Sequence, residues 1–254
     1  MIDTHAHIYL EHFDEDIQNV LDQAEEAGVH RILMPNIDSS TVKAMNQLAE
    51  DNPDKLIPMM GLHPCSVKEN YRDELKLVEE ELRKGGYLAV GEIGTDLYWD
   101  KTFWEEQQEA FNIQCELGLE LELPVVIHCR ETIDETIDLV RPWAEKGLSG
   151  VFHCFTGSLD QANSIIDMGF YLGIGGVSTF KNGGLDKVLP DVNKEFVVLE
   201  TDSPYLAPVP FRGKRNEPSY LRNVAEKLAL YWECSFKEVD EITTQNANRL
   251  FKLQ

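Results

Sequence analysis

Long hydrophobic runs are absent from this 254-residue sequence, and no stretch approaches the roughly 20 apolar residues that cross a bilayer. The chain opens directly on MIDTHAHI, without the basic and apolar segments of a secretory signal. Its five cysteines are odd in number and include no C-x-x-C pair, which is typical of reduced thiols and not of a disulfide framework. These absences predict a cytoplasmic protein without membrane contact, and no feature of the sequence indicates an obligate protein partner.

Basic residues are scarce as well, since 23 Lys and Arg stand against 45 Asp and Glu, giving a formal net charge of −22. This balance excludes a protein that captures nucleic acid nonspecifically through a broad basic surface. It does not exclude a phosphate substrate, because bound divalent cations reverse the local sign of a site. The most basic stretch, residues 211–216 (FRGKRN), is either a contact for a nucleic-acid backbone or a solvated loop.

No low-complexity linker interrupts the chain, so residues 1–254 are predicted to form a single domain. Short apolar runs alternate with segments whose apolar residues recur every three or four positions, as in amphipathic helices. After an N-terminal strand, the further predicted strands lie near residues 31–35, 56–60, 87–90, 124–127, 150–152, 170–174 and 196–199.

Eight strands alternating with helices predict an α/β fold, a closed parallel (β/α)8 TIM barrel. Two helices, near residues 218–231 and 236–251, close the chain, so the barrel carries an extra C-terminal helix. An open doubly wound sheet is the alternative, but no glycine fingerprint follows the first strand.

The first ten residues contain His5 and His7, two positions apart after an apolar start. Side chains two apart on a strand point to one face, so both imidazoles can enter one pocket and bind a cation through neutral nitrogens. A polar strand face is the alternative. Four further candidate ligands each follow an apolar run: Glu92, His128, His153 and Asp202. Because barrel active sites lie at the C-terminal ends of the strands, all six are predicted to meet at one mouth.

These six side chains can hold two divalent cations. His5, His7 and Asp202 suit one cation, His128 and His153 suit a second, and Glu92 can give one carboxylate oxygen to each. Mixed imidazole and carboxylate ligands favour Zn²⁺ or Mn²⁺ and accept Mg²⁺ less readily. Two cations about 3.5–4 Å apart activate a bridging water and stabilise both oxygens of an in-line phosphoryl displacement.

Other polar residues are predicted at the same end of the barrel. His63, in a Gly-Leu-His-Pro turn, is expected to contact a phosphate or donate a proton, the alternative being a histidine that only positions its loop. Arg130 can meet a phosphate with its bidentate fork, or it is a solvated surface arginine. Glu200 is expected to lie outside the cluster and to orient one of the metal-ligating side chains. Asp96 and Tyr98 can line the pocket, but their loop gives no geometric constraint.

The candidate residues fall in six successive motifs: Thr4-His5-Ala6-His7, Gly61-Leu62-His63-Pro64, Gly91-Glu92-Ile93-Gly94, His128-Cys129-Arg130, His153-Cys154-Phe155 and Glu200-Thr201-Asp202-Ser203-Pro204. Together they resemble the signatures of the TatD family, and the resemblance extends to residues 246–251 (NANRLF). It implies a metal-dependent deoxyribonuclease of the amidohydrolase-like superfamily, which binds DNA transiently, as single strands or at ends. It also implies that Asp202 is both ligand and proton acceptor, and that Glu92 stands where many superfamily members carry a carboxylated lysine.

Two other functions fit the same residues. One is hydrolysis of an amide or ester by the same binuclear site, as in amidohydrolases. The other is a non-catalytic metal-binding or partner-binding barrel, which makes poor use of so many converging polar groups. Arg130 and the basic stretch favour a phosphate over a neutral amide, so hydrolysis of phosphodiester bonds in DNA is the predicted function.

Overall fold

The computed structural model describes residues 1–253, in which eight parallel strands form the wall of a barrel. The strands are β1 (Ile2–Asp3), β2 (Arg31–Pro35), β3 (Leu56–Met59), β4 (Val90–Asp96), β5 (Val125–Arg130), β6 (Gly150–Phe152), β7 (Tyr171–Ile174) and β8 (Val197–Leu199). They pair in the orders β1-β2-β3 and β4-β5-β6-β7-β8. Parallel bridges join the two groups at both seams, Met60 with Val90 and Ala6 with Ser203. The TIM-barrel prediction is confirmed.

Eight α-helices surround or close this wall. They are α1 (Ile17–Glu26), α2 (Val42–Asp51), α3 (Tyr71–Lys84), α4 (Trp104–Glu120), α5 (Ile133–Ala144), α6 (Leu159–Asp167), α7 (Leu221–Tyr231) and α8 (Phe236–Phe251). The β7–β8 connection contains short 3₁₀ turns in place of an α-helix, and both α7 and α8 follow β8. None of the helices within residues 1–253 is long and apolar enough to cross a membrane.

The barrel interior is filled from the N-terminal end of the strands. One buried side chain comes from each strand or the residue just before it: Ile2, Leu33, Met59, Ala89, Val126, Val151, Tyr171 and Val198. Ala247, Leu250 and Phe251 of α8 pack against this layer. Through these contacts, α8 closes the N-terminal end of the barrel. The helix begins at a capping box between Ser235 and Glu238. The opposite, C-terminal mouth is where the polar residues gather.

Strand β4 differs from its prediction, because it begins at Val90 and runs through Glu92 to Asp96 instead of ending before Glu92. Gly91 pairs with Val126 and Ile93 with Ile127, so Glu92 sits in a bulge that re-aims its side chain. A Cβ at Gly94 would lie 1.9 Å from the carbonyl oxygen of His128, which explains the glycine. In the sequence, Gly91 and Gly94 look like the end of a strand. In the structure they lie within β4 and allow it to approach β5 closely.

Candidate metal centre

Glu92, only 2% exposed, lies at the centre of the polar cluster and separates it into two groups. Its Oε2 atom is 3.2 Å from His5 Nε2 and 3.5 Å from His7 Nε2. Its Oε1 atom is 2.9 Å from His153 Nε2 and 3.1 Å from His128 Nδ1. The two oxygens of one carboxylate thus face two different pairs of imidazoles.

The first group joins the two ends of the chain. The Nε2 atoms of His5 and His7 are 3.2 Å apart, and Asp202 Oδ1 lies 3.8 Å and 3.7 Å from them. Asp202 follows β8 with a φ of 58°, and its amide donates to the carbonyl of His5 at 2.8 Å. This backbone bond places the Asp202 carboxylate beside both rings, as the sequence predicts for one cation.

Outer hydrogen bonds fix which nitrogen of each ring faces the centre. His7 Nδ1 is 2.8 Å from the Tyr9 hydroxyl, which itself donates to the carbonyl of Pro35. Because that hydroxyl proton is engaged, Nδ1 of His7 must carry a hydrogen and donate it to Tyr9. In the neutral ring, Nε2 of His7 then has its lone pair directed towards Glu92, as a metal ligand requires.

The same logic applies to the second group. Nε2 of His128 is 2.9 Å from Asp96 Oδ2, an acceptor, so this nitrogen is the donor and Nδ1 keeps its lone pair towards Glu92. Nδ1 of His153 lies 3.4 Å from Glu200 Oε1 but forms no hydrogen bond within residues 1–253, so only the position of the ring, with Nε2 2.9 Å from Glu92, places His153 in this group. Both outer carboxylates are buried, at 1% exposure each. The tautomer of His128 therefore suits a cation beside Glu92.

His63 also reaches the second group, with Nε2 3.3 Å from Glu92 Oε1. Its other nitrogen, Nδ1, accepts a hydrogen bond from the amide of Cys65 at 3.0 Å. Nε2 of His63 therefore carries a hydrogen, in contrast to the inward nitrogens of its neighbours. Burial lowers the pKa of His63, but the charge of Glu92 and the hydrogen bonds with Cys65 and Glu92 together outweigh this effect, and the net pKa is raised. This arrangement suits a proton donor better than a ligand.

The charges of the cluster perturb its two central carboxyl groups in opposite directions. Burial alone would raise the pKa of Glu92, but His153, His63 and His5 together hold it well below its usual value. Burial raises the pKa of Asp202 to about 6, against the opposing effect of His153 and His7. Glu92 is thus a permanent anion, while Asp202 can gain or lose a proton near neutral pH.

Three sets of side chains contain ligand atoms within 4.8 Å of one another: His5, His7 and Glu92; His5, His153 and Asp202; and His63, Glu92 and His128. All six predicted ligands thus converge at the mouth, and their roles as ligands stay a prediction. Sequence reasoning missed Tyr9, which lies in the turn after His7 and beyond the end of β1, so its only signal in the sequence is its nearness to His7.

Arg130 is exposed at the end of β5, and its guanidinium lies 3.6 Å from the centre of the Tyr98 ring. Among residues 1–253 no acidic side chain pairs with it, so its charge is available to a ligand. The phosphate contact of Arg130 stays a prediction.

The arginines of the basic stretch at residues 211–216 have different environments. Arg215 is bound to Asp16 at 2.7 and 2.8 Å, whereas Arg212 is exposed and lies over the Phe180 ring.

Known proteins resemble this chain over nearly its whole length. The family profile described as "TatD related DNase" matches residues 2–252. A Bacillus subtilis protein named "Uncharacterized metal-dependent hydrolase YabD" is 37% identical over 254 residues, covering 100% of this chain and 99% of that protein. The "3'-5' ssDNA/RNA exonuclease TatD" of Yersinia pseudotuberculosis is 32% identical over 263 residues, with 100% of both chains covered. The structure of YJJV, a TatD homologue from Escherichia coli K12, matches with a TM-score of 0.94 and 29% identity, covering 100% of this chain and 98% of that one. The chain belongs to the TatD-related DNase family.

Proposed function

We propose that this protein is a metal-dependent hydrolase of phosphodiester bonds in single-stranded nucleic acid, with two divalent cations bound on either side of Glu92. The observation that carries the proposal is the division of the cluster by one carboxylate, with Oε2 towards His5 and His7 and Oε1 towards His128 and His153.

The residues present fit two cations. Hydrogen bonds at the outer ring nitrogens direct the lone pairs of His7 and His128 towards Glu92, and most of the cluster is buried, so these ligand atoms are held in place and shielded from solvent. Imidazole with carboxylate suits Zn²⁺ or Mn²⁺ better than Mg²⁺. When bound, two such cations polarise the phosphoryl group and lower the pKa of water.

The chain's own groups provide for the proton transfers of hydrolysis. Water attacks phosphorus, the bond to the leaving sugar oxygen breaks, and one proton must leave the water while another reaches that oxygen. Asp202, whose carboxylate lies beside His5 and His7, is placed to accept the first. His63 carries a hydrogen on the nitrogen that faces the centre and is the donor for the second.

The choice of a phosphodiester over an amide rests on charge at the mouth. Arg130 has a free guanidinium at the end of β5, two residues after a ligand candidate, and its fork matches a phosphate. A neutral amide offers this cation a hydrogen-bond acceptor but no opposite charge. The related protein from Yersinia pseudotuberculosis named as an exonuclease of single-stranded DNA and RNA supports the same substrate class.

A substrate panel tests the proposal. Chelator-treated protein is reloaded with Zn²⁺, Mn²⁺ or Mg²⁺ and assayed on single-stranded DNA, duplex DNA, RNA and a dihydropyrimidine-type amide, with metal content measured on the same samples. We expect metal-dependent cleavage of the single-stranded substrates and near two equivalents of bound metal. Turnover of the amide alone, or cleavage that survives removal of the metal, would contradict the proposal.

A further inference from the structure

Two large aromatic side chains stand in solvent at the mouth of the barrel. Tyr98 is 48% exposed and Trp99 is 69% exposed, which makes Trp99 the most exposed aromatic residue within the described chain. Both follow directly on β4, the strand that carries Glu92, so they lie at the same end as the candidate metal centre. An exposed indole gains nothing for folding, because its apolar surface remains in contact with water.

Asp96 connects this aromatic pair to the cluster. Its Oδ1 atom accepts hydrogen bonds from the amides of Tyr98, at 2.8 Å, and Trp99, at 3.2 Å. Its Oδ2 atom lies 2.9 Å from His128 Nε2. One buried carboxylate therefore fixes both a ligand candidate and the turn that displays the aromatic rings.

Two further contacts fix the turn that carries Tyr98 and Trp99. Asp100 forms an ion pair with Lys68 at 2.8 Å, beyond the aromatic pair. The Arg130 guanidinium covers Tyr98 at 3.6 Å and lies 5.4 Å from the Trp99 ring centre. The two aromatic rings meet edge to face at 89°, so Tyr98 does not stack on the flat face of Trp99. The indole is thus ordered and still has a face open to solvent.

We propose that Trp99, supported by Tyr98 and Arg130, is a stacking surface for an unpaired nucleobase next to the phosphate that is cleaved. The inference rests on the proposed function and adds the residue that selects unpaired substrate. A flat, open aromatic ring beside a free guanidinium is the arrangement that binds bases of single strands, irrespective of sequence. Bases inside a duplex have both faces covered by their neighbours, so such a surface selects single strands and frayed ends.

The test compares two oligonucleotides that differ only in their bases. One is an ordinary single-stranded DNA, and the other keeps the sugar-phosphate backbone but carries abasic residues throughout. In the wild type, kcat/KM is expected to be higher for the base-bearing strand. Trp99→Ala should reduce the ratio of the two kcat/KM values by about 5- to 150-fold, the range expected for one stacked base. Trp99→Phe should restore part of the ratio. Leu230→Ala, at a site 72% exposed on α7, is the matched control.

A binding measurement separates the failure of this inference from the failure of the proposed function. Indole fluorescence is titrated with each oligonucleotide, and the signal of Trp99→Phe is subtracted from that of the wild type. Quenching by the base-bearing strand alone supports the stacking surface even if no cleavage is found. Equal losses on both strands in Trp99→Ala, or no quenching assigned to Trp99, would overturn the inference.

Discussion

Replacing Asp96 by Asn tests whether the outer hydrogen bonds hold the second cation group in place. Both carboxylate oxygens act as acceptors: Oδ2 faces the Nε2–H of His128, and Oδ1 faces the amides of Tyr98 and Trp99. An Asn side chain offers only one acceptor, so its NH₂ group must face a donor on one side. The main chain cannot shift to relieve this conflict, because Gln107 bonds both the N–H and the carbonyl of residue 96.

Either orientation of the Asn amide has a measurable cost. If its NH₂ meets His128, the ring changes tautomer and Nδ1 gains a hydrogen directed at Glu92, which removes the ligand lone pair. If its NH₂ meets the turn, two partly buried amides lose their acceptor, which costs less than the roughly 1–3 kcal/mol of fully buried groups left unpaired. Losing a partner of this kind typically weakens metal affinity or activity roughly 10- to 100-fold, about 1.4–2.7 kcal/mol.

The assay for Asp96→Asn measures metal stoichiometry after dialysis, affinity by competition with a chelating indicator, and kcat/KM on single-stranded DNA. We expect one metal equivalent to be lost or weakened while the other remains. Asp134→Asn is the control, because Asp134 is exposed and bonds only Gln161. Two tightly bound cations and unaltered kinetics in Asp96→Asn would refute the tautomer reasoning.

Three further substitutions probe the bridge, the phosphate contact and the β4–β5 contact. Glu92→Ala should weaken at least one metal and abolish most turnover while circular dichroism stays native; near-normal activity with both metals bound would rule out bridging. Arg130→Ala should keep its metal content but lose about 30- to 1,000-fold in kcat/KM on DNA, with partial recovery in Arg130→Lys. Because the phosphates remain in an abasic strand, the Arg130→Ala loss should persist there; an equal loss on an uncharged ester would mean a structural role. Gly94→Ala places a methyl group 1.9 Å from the His128 carbonyl oxygen and should lower the free energy of unfolding by at least about 1–3 kcal/mol in thermal denaturation. Gly85→Ala, with positive φ but open space, controls for backbone strain alone, and an equal effect there would mean that the contact is unimportant.

The sequence predicted most of the strands closely because buried parallel strands appear as short apolar runs, such as 150–152 and 171–174. The first strand is shorter than predicted, since β1 ends at Asp3 and both His5 and His7 follow it. It failed at β4, where glycines that permit a bulge and a close strand contact resemble a strand end. Propensity alone cannot distinguish these cases, since the deciding contact is with β5, a strand distant in sequence.

The predicted ligands converge in space because each lies in or just after the C-terminal part of a strand, and strand order then determines their position. The partners that fix their tautomers were less accessible to prediction. Asp96 acts on His128 across two strands, and the bond from Cys65 to His63 depends on the local turn. Such contacts depend on side-chain directions that no residue spacing specifies. The sequence alone therefore could not distinguish the two predicted roles of His63, phosphate contact and proton donor.

The residues of the two cation groups are completed at different stages of synthesis, because the seam between β1 and β8 joins the two ends of the chain. Glu92 and His128 lie on the adjacent strands β4 and β5 and His153 follows β6, so these three residues are made before β7 and β8, whereas Glu200, which lies beside His153, follows β8. The group of His5, His7 and Asp202 exists only after the last strand has met the first. His5, His7 and Asp202 would hold a cation only in the closed barrel, and its binding free energy would then add to the stability of that closed form. Removing that cation should therefore loosen the seam first, leaving the β4–β6 side of the wall in place.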